Sequence, residues 1–227
     1  MHAPYDNREP ATRFQDRRDA GEQLARRLAV LGLGPATVLA IPRGGVVVAD
    51  VIVQAFGWPL DVVLPRKLRA PRNPELAFGA VTGDGTVFLD ARLARTLHVT
   101  DDYLREEIAG QIAEISRRRT AYRGTRPEPD LRSRTAVLVD DGLATGATAI
   151  ASVRMLRHLL AREVAVAIPV GPPEAVRRLE AEADRVICLL RPPEFTAVGE
   201  FYEDFRQTDD DEVVACLTRS WRRTGVA

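Results

Sequence analysis

The chain has 227 residues, and its 32 basic and 32 acidic side chains cancel to a formal net charge of 0. A content of 45% hydrophobic and 28% charged residues is that of a folded globular protein and excludes a disordered chain. Zero net charge gives no overall attraction to nucleic acid or anionic lipid, although a local basic groove stays open. Of the basic residues, 31 are Arg and one is Lys, at Lys67. The length suits a single domain with a sizeable core. Two cysteines, Cys188 and Cys216, are too few for a disulfide framework or a thiolate metal site and read as small buried hydrophobes. The longest uncharged run, residues 28–42, is 15 long and broken by Gly32, Gly34 and Pro35, short of a membrane span. The first residues are not a basic segment followed by an apolar one, so a cytoplasmic location is the expectation.

Residues 16–31 read as a helix, with Leu24, Leu28 and Leu31 on one face. A short buried strand at 37–41 ends in Pro42-Arg43-Gly44-Gly45, and an apolar helix at 46–56 closes at Gly57. A second strand is expected at 60–64. Residues 66–74 hold Arg66, Lys67, Arg69, Arg72 and two prolines, and read as a mobile basic loop. Strands at 76–81 and 86–89 flank Gly83-Asp84-Gly85, a hairpin signal. Thr100 or Asp101 caps a long helix to about 122, with Leu104, Ile108, Ile112 and Ile115 inward. Residues 123–134 form a polar connector. The rest alternates: strand 135–139, helix to about 160, strand 164–170, helix 173–183, strand 185–190, and a last helix at 209–221. The order from 37 to 190 implies an α/β fold, a doubly wound, mostly parallel sheet with helices on both faces.

The strongest chemical signal is at residues 135–148. An apolar strand delivers Asp140 and Asp141 at its carboxyl end, where open α/β sheets bind ligands. A loop with Gly142 and Gly146 then opens a helix. Glycines turn backbone N–H groups toward an anion, and a helix start adds free donors and a positive dipole end. Thr145 and Thr148 add hydroxyls. Two adjacent carboxylates repel a phosphate but suit a diol, whose hydroxyls donate to them. A phosphate beside a vicinal diol is a ribose 5-phosphate. The P-loop pattern fails because Ala147, not Lys, follows Gly146, and no G-x-G-x-x-G occupies this turn.

The stretch Val137-Leu138-Val139-Asp140-Asp141-Gly142-Leu143-Ala144-Thr145-Gly146-Ala147-Thr148 resembles the 5-phosphoribosyl pyrophosphate (PRPP) motif of type I phosphoribosyltransferases. The resemblance implies that Asp140 and Asp141 take the ribose hydroxyls. Gly142, Leu143, Ala144, Thr145, Gly146, Ala147 and Thr148 would take the 5-phosphate. It implies a pyrophosphate loop, often with an unusual cis peptide, at Pro42-Arg43-Gly44-Gly45, so that Arg43, Gly44 and Gly45 bind diphosphate. It also implies a basic loop that closes over PRPP, with Arg66 and Lys67 as diphosphate contacts and Lys67 beside Asp140 and Asp141 in the catalytic set. The domain would run over 1–227, with the core at about 37–190 and a C-terminal hood and helix at about 191–227.

By the same resemblance the chain is a Mg²⁺-dependent transferase moving the phosphoribosyl group from PRPP to a nitrogenous base or other nitrogen nucleophile. Mg²⁺ would be held mainly by PRPP, with Asp140 and Asp141 as further ligands, and a homodimer is expected. Ala144 stands where 6-oxopurine enzymes usually have Asp, which disfavours hypoxanthine or guanine. Asp141 stands where uracil enzymes tend to have Pro. The layout is nearest to standalone phosphoribosyltransferase-like proteins of unassigned acceptor. The alternative is a non-catalytic PRPP-sensing regulator, but the chain has no added helix-turn-helix pattern, and its one basic triplet, Arg117-Arg118-Arg119, reads as a solvated helix face, so no nucleic-acid partner is expected. A competence-type protein would carry a C-x-x-C pair, absent here. His2, His98 and His158 are scattered and read as surface or structural. The aromatics at 195–205 are free to stack on a base, pack the last helix or make a dimer contact.

Overall fold

The computed structural model describes residues 13–225. Helix α1 (Arg17–Val30) starts at Asp16, whose carboxylate accepts from the N–H groups of Arg18 and Asp19. Strand β1 (Ala36–Ala40) leads into α2 (Gly44–Phe56), then β2 (Leu60–Val62). Three antiparallel strands follow: β3 (Arg66–Ala70), β4 (Asn73–Val81) and β5 (Val87–Leu89). Next come a short α3 (Ala91–Thr96), the long α4 (Asp101–Arg123) capped by Thr100, and β6 (Thr135–Val139). The chain ends with α5 (Ala147–His158), β7 (Glu163–Val170), α6 (Pro173–Glu180), β8 (Arg185–Leu190), a 3-10 turn at Val198–Phe201, and α7 (Asp210–Thr224).

The main sheet is parallel, in the order β2-β1-β6-β7-β8. Its strands alternate between two cores because successive side chains point to opposite faces. Val38, Val137 and Ala165 face the helices α1, α2 and α7, while Leu39, Leu138 and Val166 face α5 and α6. Both faces are therefore covered, as the nearly continuous apolar runs of these strands require. The direction of winding reverses between β1 and β6, which lie side by side with Ala40 opposite Val139. This is the topological switch point, the crevice where such sheets take ligands.

The expected mobile loop at 66–74 is instead ordered in the β3–β4 hairpin, with Pro71 and Arg72 in the turn. Four cations and two prolines hid a period of two. Leu68 and Ala70 point inward, while Lys67 and Arg69 point to solvent. Leu68, Phe78 and Val81 pack on Ile115, and the half-buried Leu104, Ile108 and Ile112 complete that face of α4. Arg66 Nε donates to Gln111 Oε1 at 2.9 Å, and the Arg69 N–H to Glu107 Oε1 at 3.0 Å. The sequence carries little signal for α3, whose six residues are nowhere buried and which is marked only by its Asp90 cap. Helix α6 ends three residues, and β2 two residues, short of the expected bounds.

Cys216 is buried and Cys188 half-buried, and burial pushes both thiols up to about 11. His98 and His158 are exposed, and His2 lies outside the described residues. Arg117 and Arg118 pair with Glu114 on the outer face of α4, as a solvated face would.

Candidate PRPP site at the sheet switch point

Two helix N-termini meet at the crevice. After β1 the chain turns at Pro42-Arg43, whose peptide bond is cis, and enters α2 at Gly44. After β6 it passes Asp140 and Asp141 and enters α5, with Gly146 as N-cap at φ +80°. A left-handed residue at that corner is a position for glycine. Among the described residues, no acceptor takes the N–H groups of Ala144, Thr145, Gly146 and Thr148, nor those of Gly44 and Gly45. These donors lie at the positive ends of two helix dipoles, an arrangement that favours negative charge. The Leu143 N–H is already used, donating to the Val170 carbonyl at 2.8 Å, and the Leu143 side chain is buried. Of the expected phosphate loop, Leu143 and Ala147 thus serve packing with their side chains, while Thr145 is exposed and Thr148 half-buried.

The two loops press together because Gly44 and Gly45 have no side chains. A Cβ on Gly44 would lie 1.8 Å from Asp141 Oδ2, and one on Gly45 2.9 Å from the Asp140 Cα. The Asp141 N–H donates to Asp140 Oδ1 at 2.9 Å. Burial, and then the charge of Asp141, hold the Asp140 carboxyl well above the usual carboxylate range. Asp141 has a cation of its own: Arg17 Nε donates to Asp141 Oδ2 at 2.8 Å, with side-chain exposures of 11% and 17%.

A roof over this corner joins Phe14 to residues 198–205. Phe14 forms a parallel bridge with Tyr202; the Phe14 N–H donates to the Phe201 carbonyl at 2.8 Å, and the Glu203 N–H to that of Phe14 at 2.8 Å. Tyr202 donates its hydroxyl to the Asp141 carbonyl at 2.6 Å. Val198 covers Gly142, where an added Cβ would lie 2.4 Å from its Cγ1. The roof aromatics pack on one another: Phe195 stacks on Phe201 at 5.5 Å, and Tyr202 lies 4.9 Å from Phe205. Tyr202→Phe removes one hydrogen bond, at a cost of about 1 kcal/mol that urea unfolding measures.

Arg43 Nη1 lies 3.8 Å from Asp210 Oδ1 at the start of α7, Arg66 is bound to α4, and Lys67 is on the solvent face of β3. The cation placed against the acid pair, Arg17, was missed in the sequence, since it sits among other arginines of an amphipathic helix. A polar cavity of about 420 Å³ opens beside Arg17, between Arg206, Thr208 and Glu212. A more apolar one of about 270 Å³ lies between α4 and α5, and none of the acid pair or anion loops lines it.

Fold and site together define an α/β protein with an acid pair between two helix N-termini at the switch point of a parallel sheet. Residues 15–206 match the family model described as the phosphoribosyl transferase domain, and the chain belongs to that family. It is 46% identical over 209 residues to "Putative phosphoribosyl transferase Rv0571c" of Mycobacterium tuberculosis (strain H37Rv), covering 92% of this chain and 47% of that protein. The chain thus spans about half the length of that relative. The crystal structure of TT1426 from Thermus thermophilus has 46% identity and a TM-score of 0.79, over 91% of this chain and 98% of that one. Among the described residues no helix is long and apolar enough to cross a membrane.

Proposed function

We propose that the chain binds PRPP at the switch point and transfers its 5-phosphoribosyl group to a nitrogenous base or another nitrogen nucleophile, releasing pyrophosphate. One observation carries this reading: the acid pair lies between two helix N-termini whose N–H groups are unused. Asp140 and Asp141 accept from the two ribose hydroxyls. The donors at Ala144, Thr145, Gly146 and Thr148 hold the 5-phosphate, and those at Gly44 and Gly45 the diphosphate. The C1–oxygen bond breaks with its electron pair leaving on the diphosphate, while C1 bonds to the acceptor nitrogen, which loses a proton to solvent. No covalent nucleophile is needed, because the chain holds the reactants in line and screens them from water.

Mg²⁺ fits the oxygen donors of this corner. Among the described residues no group of three or more His, Cys, Asp or Glu side chains is gathered to hold a metal. Asp140 and Asp141 would therefore add protein oxygens to an ion carried chiefly by the substrate, as is common for Mg²⁺. When bound, the ion neutralises charge on the leaving diphosphate.

PRPP with Mg²⁺ at about one hundred times its dissociation constant stabilises the fold by about 2.7 kcal/mol, which thermal melting reads as a clear rise. No rise, with a control ligand working in the same assay, overturns the assignment. Pyrophosphate release across a panel of purines, pyrimidines and amines then identifies the acceptor. Binding without release from any of them turns the reading to a PRPP sensor.

A further inference from the structure

The cation that meets both halves of the site comes from α1. Arg17 Nε donates to Asp141 Oδ2 at 2.8 Å, Arg17 Nη1 donates to the Arg206 carbonyl at 2.8 Å, and the guanidinium carbon stands 3.9 Å from the centre of the Phe205 ring. Three partners thus fix a side chain that is 11% exposed. Its Nη2 has no hydrogen-bond acceptor among the described residues. The guanidinium also lies directly against the first loop: a Cβ on Gly44 would be 2.5 Å from Arg17 Nε. Gly44 therefore leaves the space that Arg17 and Asp141 share. Arg43, Arg66 and Lys67, by contrast, are turned to Asp210, to Gln111 and to solvent.

We propose that Arg17 is a diphosphate-contacting residue of this site. A planar fork keeps Nε on Asp141 and Nη1 on the Arg206 carbonyl while Nη2 donates to a phosphate oxygen above Gly44, which a lysine ammonium cannot do with the same geometry. Its charge then opposes the negative charge that grows on the diphosphate as the C1–oxygen bond breaks, and the stacked Phe205 keeps it in place before substrate arrives. This rests on the PRPP reading above, and it assigns to the site a residue outside the motif and both basic loops.

Titration calorimetry of inorganic pyrophosphate and of ribose 5-phosphate, each alone with Mg²⁺, separates the two halves. Arg17→Met is expected to weaken pyrophosphate about 10- to 100-fold, the size of a lost charge-assisted pair, and to leave ribose 5-phosphate within about threefold. Arg17→Lys keeps the charge without the fork, should fall between, and serves if the Met variant does not fold. Equal losses for both ligands make Arg17 only a support for Asp141 and overturn the proposal, as does an unchanged pyrophosphate affinity; the PRPP reading survives either. Wild-type protein that binds neither ligand overturns that reading and the proposal with it.

Discussion

Asp140→Asn and Asp141→Asn will each weaken PRPP binding by about 10- to 100-fold, because each removes a charge-assisted bond to a ribose hydroxyl. Unchanged affinity in both would remove the diol assignment. Stability should split the two. Asp140 is held above its ordinary pKa by burial and by Asp141. A carboxyl raised on folding contributes stability below its unfolded pKa, and that contribution is lost as pH rises through the folded value. Above the raised value the Asp140 charge therefore costs stability, and there Asp140→Asn should melt at or above the wild-type temperature. The wild-type melting temperature should fall as pH climbs from the ordinary carboxylate range through the raised value, and the Asn variant should lack that fall. Asp141→Asn should melt lower, since Arg17 loses its anion in a corner that is 11% exposed.

The second large effect lies away from the site. Asp61 and Arg123 form a buried pair, Arg123 Nη2 to Asp61 Oδ2 at 2.7 Å, with side-chain exposures of 9% and 4%. Arg123 Nη2 also donates to the Pro127 carbonyl at 3.0 Å, and Nη1 stands 3.2 Å from Glu128, so the end of α4 and the connector hang on one guanidinium. Its Nε is buried without an acceptor among the described residues. Burial pushes the Asp61 carboxyl up although Arg123 pulls it down. Such a pair adds little net stability but is costly to break on one side. Asp61→Ala is expected to destabilise by about 3–5 kcal/mol in urea unfolding. The double variant with Leu at both positions should recover most of the loss, and additive losses would show the two groups to be uncoupled.

Sequence reading found the centre of the fold because the centre is written locally. Residues 135–139 are an apolar run between charged segments, and the structure places β6 at those bounds. Asp140, Asp141 and the glycines follow within a few residues, so one glance takes in the loop. What lay beyond reach depends on distant segments. Arg17 is 124 residues from Asp141, and nothing near it marks it out from Arg18 or Arg27. Phe14 reaches Tyr202 across most of the chain. The β3–β4 hairpin is masked for another reason: in β3 the charges outnumber the apolar residues, and the pattern lies in the face each occupies, with Leu68 and Ala70 inward.

Lys67 is the only ε-amino group in the sequence, and it stands exposed on the outer face of β3. Amine-selective reagents will therefore find one side chain to modify, with 31 arginines left untouched because guanidinium stays protonated. A fluorophore attached there labels the basic hairpin without any engineered residue. Its polarisation would follow that hairpin as phosphate ligands are added, and a chain poor in lysine becomes one that carries its own labelling point.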